Sequence, residues 1–408
     1  MAADADVLVL GAGISGMAFA ERAQRAGRTV TVLEASDRVG GCLHSERLDG
    51  GPGDGDGDAY WYELGAHTCY NSYGGLLDIL GEVRLRDRLL AREKAPFRLL
   101  TEDGVTPIAK RLKKLPLLAA PFRLLGARKD KDHRTVRDYY GRLVGRDNYD
   151  RAFGALLSAV PSQDASDFPA DMLFKKRPRD KAAPRSFTVD GGLGAIPEAI
   201  ARLPGVEVHL GVRAAGLTLR GSDVDVTTEG GERWRAKVVV LATPPDRAAA
   251  ITRGGLPRLA DALGKIAVAE VDTLALVLPH EAVSLERVAG LVPVPSDDFF
   301  SVVTRDVVPH PTLRAFAFHF RPGLSPERRR ARALEVLGVE PTQVRAWAAR
   351  TSRLPSPRLG HRALVQAIDG AIAGRPVAVV GAYFAGLAIE DCVGRARAEA
   401  ARVLRREG

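Results

Sequence analysis

The chain has 408 residues, 46% hydrophobic and 27% charged, and carries a net charge of +9 (59 Lys+Arg against 50 Asp+Glu), which excludes a disordered chain and leaves room for two or three sub-domains. Three widely spaced cysteines, Cys42, Cys69 and Cys392, form neither a disulfide framework nor a zinc spacing, which points to a reducing compartment. No apolar run is long enough to span a bilayer, and the positive charge favours anionic partners without choosing among them.

The first predicted element is the strand Val7 to Leu10. It begins a few residues after Met1 with no basic region before it, so Val7 to Ala20 reads as fold rather than signal peptide. Gly11-Ala-Gly13-Ile14-Ser15-Gly16 follows, then a helical run, a strand from Thr29 to Leu33, and Glu34 with Ala35 behind it. A glycine triplet between strand and helix, with an acid at the end of the next strand, is a dinucleotide-binding fingerprint. Gly11 permits the tight turn, Gly13 lets the backbone approach a pyrophosphate, and Gly16 lets helix and strand pack closely. The helix start offers free N–H groups to phosphate, and Glu34 is placed to accept hydrogen bonds from a ribose. Arg38-Val-Gly40-Gly41-Cys-Leu-His-Ser45 comes next. It resembles the RxGGxxxS/T element of two-dinucleotide-binding flavoproteins, which implies FAD rather than a nicotinamide dinucleotide.

Residues 49 to 58 form an Asp-Gly loop whose spacing fails the EF-hand pattern: Ala59 stands where that loop needs glycine and Gly65 where it needs an acid. No metal is expected there. A strand from Ala59 to Glu63 leads into Leu64-Gly65-Ala66-His67. A short helix over 75–90 and a hairpin over 96–108 follow. From Pro107 to Phe174 the pattern is helical and basic, with Lys110, Arg111, Lys113 and Lys114 before the apolar run 115–125 and Arg128, Lys129, Lys131 and Arg134 after it. This is either a peripheral membrane contact or a basic solvent face; two prolines oppose one clean amphipathic helix. From Phe187 an α/β pattern resumes: Gly191-Gly192-Leu193 opening a helix, then strands at Val206 to Leu210, Val212 to Leu219, Asp223 to Thr228 and Lys237 to Ala242. Residues 250 to 370 mix strands and helices. The strand-turn-helix theme returns at Val377 to Val380, Gly381-Ala382-Tyr383, Gly386, and a helix through Arg405.

Four segments in this order resemble the flavin-containing amine oxidase superfamily, most like its protoporphyrinogen oxidase branch. They are the fingerprint with Glu34 and Arg38 to Ser45; Glu63-Leu-Gly65-Ala66-His67; Ser186-Phe187 with Gly191-Gly192-Leu193, Ile196-Pro197 and Val212; and Gly381-Ala-Tyr383 through Gly386 to Asp391-Cys392-Val393. The resemblance implies an α/β fold: a two-dinucleotide-binding, Rossmann-like domain (1–72, 186–250, 370–408), a mixed-sheet substrate domain (73–108, 251–369) and a small helical subdomain (109–185). It implies non-covalent FAD held by Gly11, Gly13, Ile14, Ser15, Gly16, Glu34, Ala35, Arg38, Gly40, Gly41, Gly65, Ala66, His67, Val212, Ala242, Gly381, Ala382, Gly386 and Ile389. The chain also departs from its relatives. Ser356 and Pro357 replace the glutamine and tyrosine of the branch's P-Q-Y stretch, Cys392 lies past the position of covalent flavin attachment, and 271–278 contains no lysine.

The expected chemistry is FAD-dependent two-electron oxidation of a small organic substrate, protoporphyrinogen oxidase-like, with dioxygen as acceptor. A desaturase or amine oxidase of a specialised pathway and a redox-neutral flavin isomerase stay open as alternatives. His67 and Tyr383 are the catalytic candidates; His67 is read either as proton acceptor or as a structural histidine. Tyr70, Asn71 and Tyr383 are candidates for the pocket wall. A last helix from Ile389 would aim its N-terminal N–H groups at the flavin. Lys175 to Lys181 is either a propionate-binding segment or a solvated loop; without interleaved aromatics it is not read as binding nucleic acid. The expected location is cytoplasmic, with a peripheral contact at the inner membrane face left open. Oligomeric state is not legible.

Overall fold

The computed structural model describes residues 5–48, 60–113, 131 and 133–404. The loop at 49–58 and the apolar run 115–125, with Lys114, Arg128 and Lys129, lie outside the described residues. The first sheet is built on strands Val206–His209, Val30–Leu33, Ala5–Leu10 and Arg233–Leu241, parallel and in that order. Val377–Val379 joins the C-terminal end of Arg233–Leu241 in parallel, while Asp223–Thr228 and Ala214–Arg220 meander antiparallel from its N-terminal end. Both faces are covered, which is why the central strands read as unbroken apolar runs. Val7 and Val9 enter one core with Met17, Phe19, Leu76 and Val393. Leu8 and Leu10 point the other way into a second core with Leu241, Leu263 and Ile368.

The second sheet has the order Ala346–Pro355, Val268–Pro279, Leu313–Phe320, Phe299–Thr304, Gly290–Pro293, Phe97–Thr101, Gly104–Pro107; only the Gly290–Pro293 and Phe97–Thr101 pair is parallel. Its outer face buries Phe299, Phe316, Phe318 and Phe320 under the helix Pro326–Leu337. That helix is capped by Ser325, whose Oγ accepts the Arg328 N–H, and ends on left-handed Gly338. The inner face carries small residues, Ala275, Ala315 and Ala317, against Tyr60, Tyr62 and Leu64. A separate cluster gathers helices Val136–Val144 and Gly154–Ala159 around Tyr149, Phe168 and Leu173.

The cores divide the chain differently from the sequence boundaries. Helices Gly74–Glu82, Pro245–Thr252, Pro257–Gly264 and His361–Ile372 put their apolar faces into the two cores of the first sheet. The stretches 74–82, 257–264 and 361–369 therefore pack with the first sheet rather than with the second. Helical periodicity shows that a face is buried, but not which sheet covers it.

Candidate active site

The two glycine motifs lie side by side at the C-terminal end of the first sheet. Gly13 and Gly40 form an isolated parallel bridge, and the Gly40 N–H donates to the carbonyl of Ala12 at 2.8 Å. Gly11 has φ +105°, and a Cβ there would stand 2.9 Å from the Ala242 carbonyl oxygen. A Cβ on Gly16 would collide with the Gly11 carbonyl and reach Ala242 Cβ at 2.9 Å. Gly13 is different. Its φ is −69°, and a Cβ would meet nothing nearer than Gly41 Cα at 3.9 Å. The protein itself does not fill this space, as a pyrophosphate cradle requires. Gly13 is also the N-cap of Ile14–Arg25, which has no side-chain cap and no acid in its first turn, so its free N–H groups suit an anion.

Glu34 braces this cradle. One carboxylate oxygen accepts the Ala12 N–H at 2.7 Å; the other accepts the Ser36 N–H at 2.9 Å and its hydroxyl at 2.7 Å. Its carbonyl accepts the Val212 N–H at 2.9 Å, and the Ala242 N–H donates to Leu10 at 2.9 Å. Arg38 donates to the carbonyls of Val39 and Gly41, each at 3.0 Å. Arg350, from the second sheet, donates to the same Gly41 carbonyl. Burial holds the Arg38 guanidinium below its usual range, and Arg350 adds to the effect. Burial, then these two arginines, press His44 down to about 4.

A hydrogen-bonded node locks three of the sequence segments together. Ser45 Oγ donates to Glu63 at 2.7 Å, Leu193 N–H donates to Glu63 at 2.7 Å, and Gly194 N–H donates to Ser45 Oγ at 3.0 Å. A Cβ on Gly192 would collide with Ser45. Burial lifts the Glu63 carboxyl to about 7, although Leu193, Ser45 and Arg305 pull the other way. Beyond Glu63 the chain turns so that Gly65 passes against the Cys42 carbonyl, which accepts the Ala66 N–H at 3.0 Å. Gly65, Ala66 and His67 thus continue from the cradle.

His67 opens onto a cavity between this strand and the second sheet. Trp61, Tyr62, Glu63, Arg92 and Thr188 line one side; Ala275, Val303, Arg305, Ala315 and Ala317 line the other. His67 Nδ1 is hydrogen-bonded to Thr68 Oγ1 at 2.8 Å. Burial, then Arg92 and His319, lowers its pKa to about 3, so the imidazole is neutral and a weak base. The inner face of the sheet has a polar row, Arg350, Thr273, His319, Ser301, and next to it a row of small residues, Ala348, Ala275, Ala317, Val303. Residues directly opposite across strands share a face, so the rows follow from register. His319 is buried, bonded to Thr273 Oγ1 at 3.0 Å and lowered to about 4 by burial. Arg92, Arg305, Arg350 and His319 were not singled out in the sequence. Their placement depends on pairing between distant strands, for which no local pattern exists.

The C-terminal segment places the remaining candidates. Tyr383 is 2% exposed and belongs to the second core of the first sheet, with its ring over Gly381 and 4.8 Å from that of Phe384. It is not among the residues that line the cavity beside His67; its hydroxyl is buried without a hydrogen-bond partner, and burial raises its pKa. Its carbonyl accepts a hydrogen bond from His361 Nε2. Lys175 and Arg177 are engaged within the protein. Both pair with Asp391, at 3.2 and 2.7 Å, in the first turn of the helix Ile389–Val403. Glu390 accepts the N–H groups of Gly75 and Leu76 at 2.8 and 3.0 Å and so caps Gly74–Glu82. Gly386 abuts Asp391, a Cβ there standing 2.6 Å from its carboxylate; Ala382 packs on the first core. Cys392 is buried, its thiol raised to about 12 by burial. Tyr70 is exposed against the Tyr73 ring, and Asn71 is buried and donates to the Ala183 carbonyl at 3.4 Å; neither lines the cavity.

A parallel sheet bearing an uncapped fingerprint helix, a second glycine pair beside it, and a mixed sheet closing a cavity beside His67 are the parts of a flavin-dependent oxidoreductase. The profile of the flavin containing amine oxidoreductase family matches residues 14–404, and the chain belongs to that family. Its cofactor is FAD. The chain is 26% identical to coproporphyrinogen III oxidase of Mycobacterium tuberculosis over 447 aligned positions, 95% of each chain. It is 24% identical to the flavin-dependent L-tryptophan oxidase RebO of Lentzea aerocolonigenes over 281 positions, 55% of this chain and 54% of that one, so the match spans about half of that relative's length. The solved cyclohexylamine oxidase of Brevibacterium oxydans shares the fold, with a TM-score of 0.73 at 16% identity over 98% of this chain and 99% of that one. Among the described residues no helix is long and apolar enough to cross a membrane.

Proposed function

We propose that this protein oxidises a porphyrinogen-type macrocycle toward the porphyrin, two electrons at a time, and passes the electrons to dioxygen in the cytoplasm. The observation that carries this reading is the end-to-end correspondence with the mycobacterial coproporphyrinogen oxidase, 95% of each chain. The strand Val268–Pro279 carries no lysine, which departs from the amine oxidases.

Bound FAD supplies the hydride acceptor. In this reading Gly11, Gly13, Ile14, Ser15 and Gly16 would hold its phosphates and Glu34 and Ala35 its ribose, with Val212 and Ala242 on the adenine side. Arg38, Gly40, Gly41, Gly65, Ala66, His67, Gly381, Ala382, Gly386 and Ile389 would hold the rest of the cofactor. The chain positions the carbon that gives up hydride and excludes water with an apolar floor. His67, neutral and a weak base, orients rather than abstracts. Three hydrides leave from bridging carbons in all, and of the three protons lost two come from ring nitrogens and one from the last bridging carbon.

Anaerobic addition of protoporphyrinogen or coproporphyrinogen to the yellow protein tests this. Rapid bleaching, with colour and porphyrin fluorescence returning in air, is the expected result. A flavin that stays oxidised with both porphyrinogens but bleaches with an amine or amino acid would replace this reading with the specialised oxidase suggested by the tryptophan oxidase relative.

A further inference from the structure

The inner face of the second sheet changes character one pleat beyond the alanines that receive Tyr60, Tyr62 and Leu64. There the row Arg350, Thr273, His319, Ser301 crosses four strands. Two contacts place this row over the chain that follows Leu64. Arg350 donates to the Gly41 carbonyl, beside the Gly13 cradle. His319 stands close enough to His67 for its positive charge to disfavour one there. Neighbours in the row are one strand spacing apart, about 5 Å, so Arg350 and His319 are about 10 Å apart along it. The row therefore runs from the cradle toward His67, beside Gly65 and Ala66.

Ser301 enters the row by a bulge. The strand Phe299–Thr304 shifts register by one residue between Phe299 and Ser301. Without that shift Ser301, two residues on, would share the outer face with the Phe299 ring. A bulge that re-aims one side chain is characteristic of functional sites. The hydroxyl it delivers has no use within the protein: Ser301 is 3% exposed, and its Oγ is buried without a hydrogen-bond partner. His319 is buried and fixed by Thr273 Oγ1 at Nδ1, while its Nε2 makes no hydrogen bond among the described residues. His67 is held in the same way by Thr68 at Nδ1. Buried polar atoms left unmet are rare and costly.

We propose that His319, through Nε2, and Ser301, through its hydroxyl, are further cofactor-binding residues that hydrogen-bond the polar edge of the FAD ring system from the second sheet, opposite His67. The chemistry of the row matches the order of groups in FAD: a guanidinium at the pyrophosphate end, then neutral groups that can donate or accept toward a ring edge of nitrogens and carbonyl oxygens. The assignment rests on the proposed course of the cofactor past Gly65 to His67 and does not depend on the identity of the substrate.

The test titrates the flavin-stripped protein with FAD and with ADP, which keeps the adenosine and both phosphates and lacks the ring. His319→Asn retains a partner for Thr273 and removes the group at Nε2; His319→Gln does the reverse; Ser301→Ala removes only the orphaned hydroxyl. At the usual net value of one hydrogen bond, His319→Asn and Ser301→Ala each weaken FAD about three- to tenfold and leave ADP unchanged, and His319→Gln recovers most of the loss. Ser301→Ala keeps or raises the unfolding temperature of the stripped protein. In the flavin-loaded protein both weakening variants shift the visible bands of the bound flavin. FAD held as tightly as by the parent, equal weakening of FAD and ADP, or a loss with Gln and none with Asn at position 319 would each overturn the assignment. If His319→Asn does not fold, Ser301→Ala decides alone, because it removes an atom without a partner. His67→Asn separates the two readings: a loss confined to FAD there, with none at His319 or Ser301, keeps the ring beside His67 and overturns the contact from the second sheet, and no loss at any of the three overturns the course of the cofactor as well.

Discussion

Gly13 and Gly16 lie on one turn of one helix, yet the same substitution should affect them in opposite ways. A methyl group at Gly16 runs into the Gly11 backbone and the Ala242 side chain, so Gly16→Ala should cost about 1–3 kcal/mol of stability through overpacking. At Gly13 the methyl group meets no protein atom closer than 3.9 Å and φ is ordinary. Gly13→Ala should therefore leave the apoprotein's unfolding temperature almost unchanged and strip the purified protein of flavin. Thermal unfolding of the apo forms, set beside flavin absorbance per protein, separates the two effects; equal loss of stability in both variants would make Gly13 a packing glycine. The glycine spacing made the cradle legible in the sequence, because strand, turn, helix and acid are contiguous. It did not show which way Tyr383 turns after Gly381. The ring folds back over Gly381 into the core, a direction set by backbone angles at the turn and not by residue order.

At the scale of elements, the node of Ser45, Glu63 and Leu193 ties the turn after the second glycine motif, the strand Tyr60–Glu63 and the glycine turn before the helix Ala195–Ala201 into one unit. Each segment was readable as a motif, but their meeting was not, since 130 residues separate Glu63 from Leu193. The node has a pH signature. The Glu63 carboxyl stands near 7 in the folded protein against 4.5 unperturbed. Between those values the native state holds a proton that the unfolded chain has released, so stability falls as pH rises from about 4.5 to about 7 and is level above. The full difference is on the order of 3 kcal/mol. Denaturant unfolding at about pH 5 and pH 8 should show this loss in the parent protein and little of it in Glu63→Gln, which cannot ionise. An equal pH dependence in the two proteins would move the effect to other groups.

At the scale of the whole molecule, the second sheet does more than roof the cavity. Its polar row ends in Arg350, and this guanidinium reaches across to the Gly41 carbonyl that Arg38 already binds from the first domain. Two cations converge on one neutral acceptor beside the Gly13 cradle, and no carboxylate pairs with either within 4.0 Å among the described residues. That arrangement is poor for an empty protein and good for one holding a pyrophosphate, whose negative charge offsets the burial, and then the repulsion from Arg350, that keep Arg38 below its usual range. Arg350 should thus act in cofactor retention although it stands on the substrate sheet. A hydrogen bond to a charged group contributes about 1.5–3 kcal/mol, so Arg350→Met should raise the dissociation constant for FAD by roughly 10- to 100-fold. The same change should flatten the dependence of FAD binding on salt and leave the apoprotein's unfolding temperature equal or slightly higher. Flavin fluorescence released on dilution, at low and high salt, measures both. If Arg350→Met keeps its flavin as tightly as the parent protein, Arg350 is only a strut between the domains, and its removal should then lower the apoprotein's stability instead.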